Sequence, residues 1–331
     1  MTKHFNKDYP SLKEFGATTS KIRDFVVEDD EHWTAFNPSI AYSPKYGYAV
    51  TVRSSNYIID VESGERATIT TSGTVRNQLW FSELDDNLQI VNLRQVGFDR
   101  SGPSLARGVE DARLFWKDDS WYFNCVLYER EHTPKGRIAL YRYDVETNTA
   151  FFIKKWESLN SEATEKNWVI APEGNPNFDF IYGPTSIVKN DLIISKPCSD
   201  EFLSAIRGGS NLISLVDGSY LALAHTTEVR MRYDTEKIED SDDIKIFPKY
   251  FRQYLHLFVR YDNYGNIIEV SDQFYFDVLN TEFAAGMVEH GDDLVISYGV
   301  GDVTAHLAVL PKRTALEMLH PANEDESDWD E

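Results

Sequence analysis

A chain of 331 residues with 42 % hydrophobic and 13 % aromatic side chains can bury a sizeable core, which excludes a disordered protein. Its 54 acidic and 33 basic residues leave a net charge of −21, which argues against nucleic acid or an anionic membrane as partner, because both reward clustered Lys and Arg. With no apolar run near the ~20 residues that cross a bilayer, no signal-like start and only Cys125 and Cys198, which make neither a disulfide framework nor a metal signature, a cytoplasmic protein with free thiols is expected.

Residues 1 to 30 are polar and weakly patterned and read as a lead-in. Short β-type runs then follow one another, punctuated by Gly, Asn and Asp turns. Asn37 to Tyr42 leads through Tyr46-Gly47 to Tyr48–Arg53, and Asp111 to Phe115 leads through Asp118-Asp119-Ser120 to a run ending at Tyr128. Lys166 to Ile170 leads to Phe178–Tyr182, Gly208 to Ile213 leads to Tyr220–His225, and Glu282 to Val288 leads to Leu294–Tyr298. The acidic stretch 235 to 245 reads as an exposed loop. Arg313 to His320, just after Pro311, has helix formers with Leu316 and Leu319 at helical spacing, and predicts one terminal helix. Residues 321 to 331 read as an acidic disordered tail.

The spacing within these pairs is 16 or 17 positions each time, from Asn37 to Arg53 through Glu282 to Tyr298. Each pair continues into a further strand-like run, and no helical crossover intervenes. Five such units predict an all-β, five-bladed β-propeller over residues 31 to 320, with a short C-terminal helix. A sandwich of similar strand count explains neither the equal spacing nor the polar residues that recur at the strand starts.

In a propeller the first strand of each blade lines the axis, so its starting residues converge at one mouth. Those starts supply Asn37, Glu110, Asp111, Arg113, Lys166, Arg207, Ser210 and Glu282. The ends of the second strands supply Arg53, Tyr128, Tyr182, His225 and Tyr298, with Asp302 four residues on. If Asp111 opens a regular strand, it shares a face with Arg113 and Glu110 points away. A structural ion pair between Asp111 and Arg113, and a packed core histidine at position 225, are the plain alternatives to a site. A cationic cluster against an acidic background suggests an anionic ligand such as phosphate, and aromatic faces beside polar groups suit carbohydrate.

Asn37-Pro38, Glu110-Asp111-x-Arg113, Glu165-Lys166-Asn167-Trp168 and Tyr298-Gly299-Val300-Gly301-Asp302 resemble, in order, the motifs of glycoside hydrolase family 130, over residues 35 to 310. That family comprises five-bladed propeller β-mannoside phosphorylases and related hydrolases, with propeller mannosyltransferase-phosphorylases close to it. The resemblance implies Asp111 as general acid, Asn37, Arg53 and Asp302 as sugar ligands, and Lys166 and His225 as phosphate ligands. Glu110, Arg113, Tyr298 and Glu282 complete the expected substrate pocket. Arg207, Arg137 and Arg130 are candidates for further phosphate contacts. Ala112 stands where the family usually has Pro, and Arg207-Gly208-Gly209-Ser210 replaces a Gly-Pro-rich run.

An inverting hydrolase needs an acid and a base. A phosphorylase needs only the acid, because phosphate arrives as an anion that cations can bind and orient. The expectation is therefore inverting phosphorolysis of β-mannosides, or the reverse synthesis, with inorganic phosphate as co-substrate and no other cofactor or metal. The partners would be an oligosaccharide or sugar phosphate, and a homo-oligomer is compatible. The alternatives are a hydrolase or transferase on the same propeller, with Glu282 as hydrolytic base, and a glycan-binding propeller for which Asp111 is dispensable. Arabinanase- or fructosidase-like propellers are disfavoured, because they carry Asp where this chain has Asn37.

Overall fold

The chain closes into a ring of five antiparallel blades around one axis. The computed structural model describes residues 9–22, 33–59, 66–68, 74–128, 135–157, 164–183, 186–195, 198–237, 244–279 and 281–322, with backbone alone at 59, 66–68, 195, 230–237 and 244–251. Blade one runs Thr34–Ser43, Gly47–Ser55, Asn77–Glu83 and Arg94–Gln95. Blade two runs Val109–Lys117, Ser120–Leu127, Arg137–Asp144 and Thr149–Lys155, with Gly97–Phe98 at its edge. Blade three is Val169–Ile170, Phe180–Gly183, Ser186–Lys189 and Leu192–Ser195. Blade four carries Arg207–Gly208 and Ile213–Ser214 against Tyr220–Lys237, then Ile244–Tyr261 and Ile267–Ser271. Blade five is Glu282–His290, Asp293–Val300 and Thr304–Pro311.

The blades hold together because both faces of each are apolar. Alternation sends Leu79 and Phe81 of blade one toward Leu114, Trp121 and Tyr141 of blade two. On its other side, Ile40, Val50 and Val52 meet Val288, Val295 and Leu307 of blade five. Three similar clusters fill the other interfaces: Trp156 with Trp168 and Phe180, Val169 and Ile181 with Ala222 and Leu257, and Leu223 and Phe258 with Ala284 and Met287. Burying each large side chain contributes about 1.5–3 kcal/mol relative to leaving it exposed. A lone blade would leave these surfaces wet, which is why the repeat closes into a ring.

Both ends of the described chain join the ring. Thr18–Lys21, within the stretch read as a lead-in, is the outer strand of blade five, paired with Thr304–Pro311. Leu12 of the preceding 3₁₀ turn is buried in the cluster between blades four and five. The terminal helix spans Lys312–Glu317, shorter than predicted, because Leu319–Pro321 turns extended and pairs with Ile267–Ser271. Residues 323–331, most of the expected tail, lie outside the described residues, as does Arg130. The stretch 235 to 245 is not simply a loop. Residues 235–237 pair with 244–246 at the end of the long Tyr220–Lys237 and Ile244–Tyr261 hairpin. No described helix is long and apolar enough to cross a membrane. Cys125 is buried and Cys198 half-buried, and neither is in a disulfide.

Candidate active site

The first strands of three blades break their ladders at equivalent places. Pairing slips between Phe36 and Ser39, opposite Asp111-Ala112, and between Ala284 and Gly286. Asn37 (φ 47°) and Asp111 (φ 49°) at these bulges, and Asn167 (φ 64°) just before blade three, are left-handed. Asn and Asp tolerate that region better than other side-chain-bearing residues, and a bulge re-aims a side chain. The expectation that Glu110 and Asp111 point apart is therefore overturned: both reach Arg53.

Arg53, 3 % exposed, organises this side of the mouth. Its Nη1 donates to Asp111 Oδ1 at 3.0 Å, its Nε to Asn77 Oδ1 at 2.9 Å and its Nη2 to the Tyr57 hydroxyl at 3.3 Å. Glu110 Oε1 lies 3.2 Å from Nη2 and accepts from Asn77 Nδ2 at 3.3 Å. Asn37 Nδ2 donates to Asp111 Oδ1 at 2.9 Å, and the Tyr57 hydroxyl donates to Asp302 Oδ2 at 2.7 Å. Burial alone would raise the Asp111 pKa, but Arg53, the Asn37 amide and Arg113 outweigh it and hold the carboxyl below its ordinary value. The same carboxylates hold the Arg53 guanidinium well above its ordinary pKa, against burial as the largest single influence.

Arg113 does not form the ion pair with Asp111 that strand alternation suggests. Fully buried, it donates from Nε to Gly209 O at 2.8 Å and from Nη2 to Asn167 Oδ1 at 3.1 Å, tying blade two to blades three and four. Its guanidinium lies 5.5 Å from the centre of the Phe283 ring. Burial lowers its pKa to about 10, against the pull of Asp111, so it stays charged at neutral pH.

Beyond Arg113 lies His225, 2 % exposed, its ring 5.4 Å from Tyr254 and 5.3 Å from Phe283. Burial first, then His256, Arg113, Lys166 and Arg207, push its pKa well below the ordinary value. His225 is therefore neutral rather than a cation, and it offers a hydrogen bond instead of a charge. Its Nδ1 is buried with no hydrogen-bond partner among the described residues. Lys166 is exposed, and Arg207, whose backbone pairs with that of His225, donates to Ser204 O and Ile206 O, each at 2.7 Å. Charges from blades two, three and four thus act on one neutral imidazole.

The remaining expected site residues have other partners. Glu282 is 0 % exposed and accepts the backbone amides of Phe276, Asp277 and Val278 at 2.7, 2.8 and 2.9 Å. Burial lifts its pKa to about 7 against those three donors. It is a buried anchor and does not reach a ligand at the mouth. Tyr298 is stacked on Phe276 in the core and donates to Asp277, so it too is structural. Arg137 donates to Gly136 O at 2.9 Å and faces Glu157 at 4.0 Å. Ser210 is fully buried and accepts from the Leu223 amide. Tyr182 donates to Glu165 at 3.4 Å, and Tyr128 stands against the Arg107 guanidinium. Asn77 and Tyr57 were missed, since neither sits at the start of a first strand or the end of a second. The only available signal was polar residues beside strands, which is common. Among the described residues, no group of three or more His, Cys, Asp or Glu is placed to hold a metal ion.

No protein-family profile and no curated protein sequence matches this chain. Solved structures do. The β-1,2-mannobiose phosphorylase of Listeria innocua, solved with β-1,2-mannobiose, superposes with a TM-score of 0.55 at 13 % identity, covering 94 % of this chain and 98 % of that one. A structure from glycoside hydrolase family 130, described as hydrolases targeting β-1,2 mannosidic linkages in Candida mannan, gives 0.54 at 14 % identity, covering 89 % and 87 %. A mannose phosphorylase from Leishmania mexicana, in complex with a phosphate ion, gives 0.52 at 11 % identity, covering 90 % and 89 %. At these identities the likeness is one of fold: this chain has the five-bladed propeller of those proteins.

Proposed function

We propose that this protein is a mannoside-active enzyme that carries out inverting phosphorolysis of a β-mannoside, or the reverse synthesis. The observation that carries the reading is the division of the mouth into one carboxylate side and one cationic side. On the first, Asp111 is held by Arg53 and Asn37. On the second, Arg207 pairs with His225 through the backbone, and the charges of Arg113, Lys166 and Arg207 all act on the His225 ring. Charges of one sign repel when brought together, and an anion among them removes that cost. Phosphate suits the place because its oxygens accept charge-assisted hydrogen bonds from several donors at once. The mannoside phosphorylases among the structural neighbours, one of them solved with phosphate, favour the same substrate class.

In this reading a phosphate oxygen forms a bond to the anomeric carbon as the glycosidic C–O bond breaks, and the leaving oxygen takes the Asp111 proton. A single displacement inverts the centre, so a β-mannoside yields α-mannose 1-phosphate. The free protein holds Asp111 ionised, which is the wrong state for an acid. Phosphate bound among the cations offsets their field, and substrate excludes water, and both changes raise the Asp111 pKa. Glu282 is not available as a hydrolytic base because its carboxylate is buried on three amides.

The test is a β-mannoside cleavage assay with and without inorganic phosphate, with the product's anomeric configuration read by NMR. Phosphate-dependent release of α-mannose 1-phosphate is expected. Asp111→Asn should lower turnover per folded molecule by roughly 10²-fold or more at every phosphate level. Cleavage at equal rate without phosphate would make the protein a hydrolase. Glycan binding without any turnover would make it a binding module.

A further inference from the structure

A second cavity, of about 440 Å³, lies in the cleft between blades one and two, away from the His225 cluster. Two arginines, Arg76 and Arg107, and two amides, Gln78 and Gln95, line it, and none of its described lining residues is acidic. In a chain with 54 acidic and 33 basic residues, a cavity whose charged described lining residues are all cations favours anions. The Arg76 backbone is fixed, its N–H donating to Asn56 Oδ1 at 2.7 Å and its carbonyl accepting from Ser55 Oγ at 2.8 Å. Its exposed guanidinium makes no hydrogen bond or ion pair with a described residue. Gln78 Oε1 is buried with no donor among the described residues. Trp33 and Phe98 add aromatic surface.

The cavity adjoins the carboxylate network. Asn77 and Gly108 line it, and the same Asn77 side chain holds Arg53 and Glu110. The cavity is thus linked through Asn77 and Arg53 to Asp111, the group that would protonate a leaving oxygen. The volume falls within the range of small-molecule pockets.

We propose that this cavity is a subsite for a phosphate ester of sugar size, which serves as leaving group in cleavage and as mannosyl acceptor in synthesis. Arg76 and Arg107 bind the phosphate ester, Gln78 Oε1 accepts a sugar hydroxyl, and Trp33 and Phe98 face its C–H surface. The bonds that form and break are those of the phosphorolysis above, and the ester itself is untouched. The inference rests on that reading for its role in the reaction, though not for binding.

Titration calorimetry on the full chain tests it, with glucose 6-phosphate, glucose and guanosine diphosphate as probes. Glucose 6-phosphate should bind at least about tenfold more tightly than glucose, and weaken as salt rises. Arg76→Gln and Arg107→Gln should each reduce that affinity by about tenfold or more, the usual effect of losing a charge-assisted hydrogen bond. Lys166→Ala should leave it unchanged, which separates this site from the expected phosphate site. A guanosine diphosphate affinity that falls with the same two substitutions would support the phosphate-ester chemistry and identify a nucleotide as its source. Melting temperatures serve as the folding check. Equal affinity for glucose and glucose 6-phosphate, survival of the affinity in both arginine variants, or its loss in Lys166→Ala overturns the proposal. If phosphorolysis occurs with neutral mannosides only, and Arg76→Gln changes nothing, this inference fails and the proposed function stands. If the ester binds through Arg76 without any turnover, the reverse holds.

Discussion

Arg53→Met removes the one cation among the described residues that touches both Asp111 and Glu110, while keeping most of the side-chain volume. Arg53 is 3 % exposed, and the Asp111 and Glu110 side chains are 16 % and 14 % exposed, so the two carboxylates left behind are poorly solvated. Breaking a buried pair by deleting one partner costs about 3–5 kcal/mol, because an uncompensated charge stays behind. The cost depends on pH in a way fixed by the native protein. Asp111 has a folded pKa below its unfolded value of about 3.9, so it contributes stability above that pH and loses it as pH falls through the folded value. In the variant, burial acts without Arg53, the folded pKa rises, and the ionised form becomes destabilising at neutral pH. The stability gap between the two proteins should therefore be widest near pH 7 and shrink as pH falls toward about 4 and the carboxyls protonate. Urea unfolding followed by tryptophan fluorescence across that range measures it. A gap below about 1 kcal/mol at pH 7, or one independent of pH, would refute the electrostatic account of this network.

Three further outcomes are expected. Gly108 has φ +74°, and a Cβ there would lie 2.0 Å from the Asn77 carbonyl, so Gly108→Ala must shift Asn77 and with it Arg53 and Glu110. It should lower both the melting temperature and turnover, and normal turnover would show that Asn77 does not hold the site. Glu282→Ala leaves the buried Phe276 amide without its acceptor, which costs about 1–3 kcal/mol, and frees the part-buried Asp277 and Val278 amides at a smaller cost, with turnover per folded molecule nearly unchanged. A large loss of turnover in the folded variant would return Glu282 to the catalytic machinery. Lys166→Ala or His225→Ala should raise the phosphate concentration needed for half-maximal rate by roughly tenfold, at little cost in the saturated rate. An unchanged phosphate requirement in both variants would remove these residues from the phosphate site.

The repeat was legible because closing the ring imposes a periodic pattern. Each blade needs apolar residues on both faces of strands of similar length, and five returns of the same spacing follow from that. Blade starts near residues 35, 108, 165, 207 and 281 lie within a few positions of the observed first strands at Thr34, Val109, Val169, Arg207 and Glu282. Asp111, Arg53 and Asp302, which the topology sends to one end of the ring, are joined by hydrogen bonds through Tyr57.

What each of those side chains does there was decided by tertiary structure. Strand alternation predicts that Asp111 faces Arg113, but a bulge with a left-handed Asp111 turns its carboxylate to Arg53 and leaves Arg113 to bridge three blades. Alternation cannot foresee a bulge, because one extra residue changes the face of everything beyond it. Glu282 sits at a strand start like the others, yet the loop 276–278 packs over it and claims both its oxygens. The charge of His225 was equally hidden. Its protonation depends on burial, on His256, and on cations the fold brings near it, Arg113 and Lys166 from neighbouring blades and Arg207 from the paired strand of its own, and none of these lies beside it in the sequence.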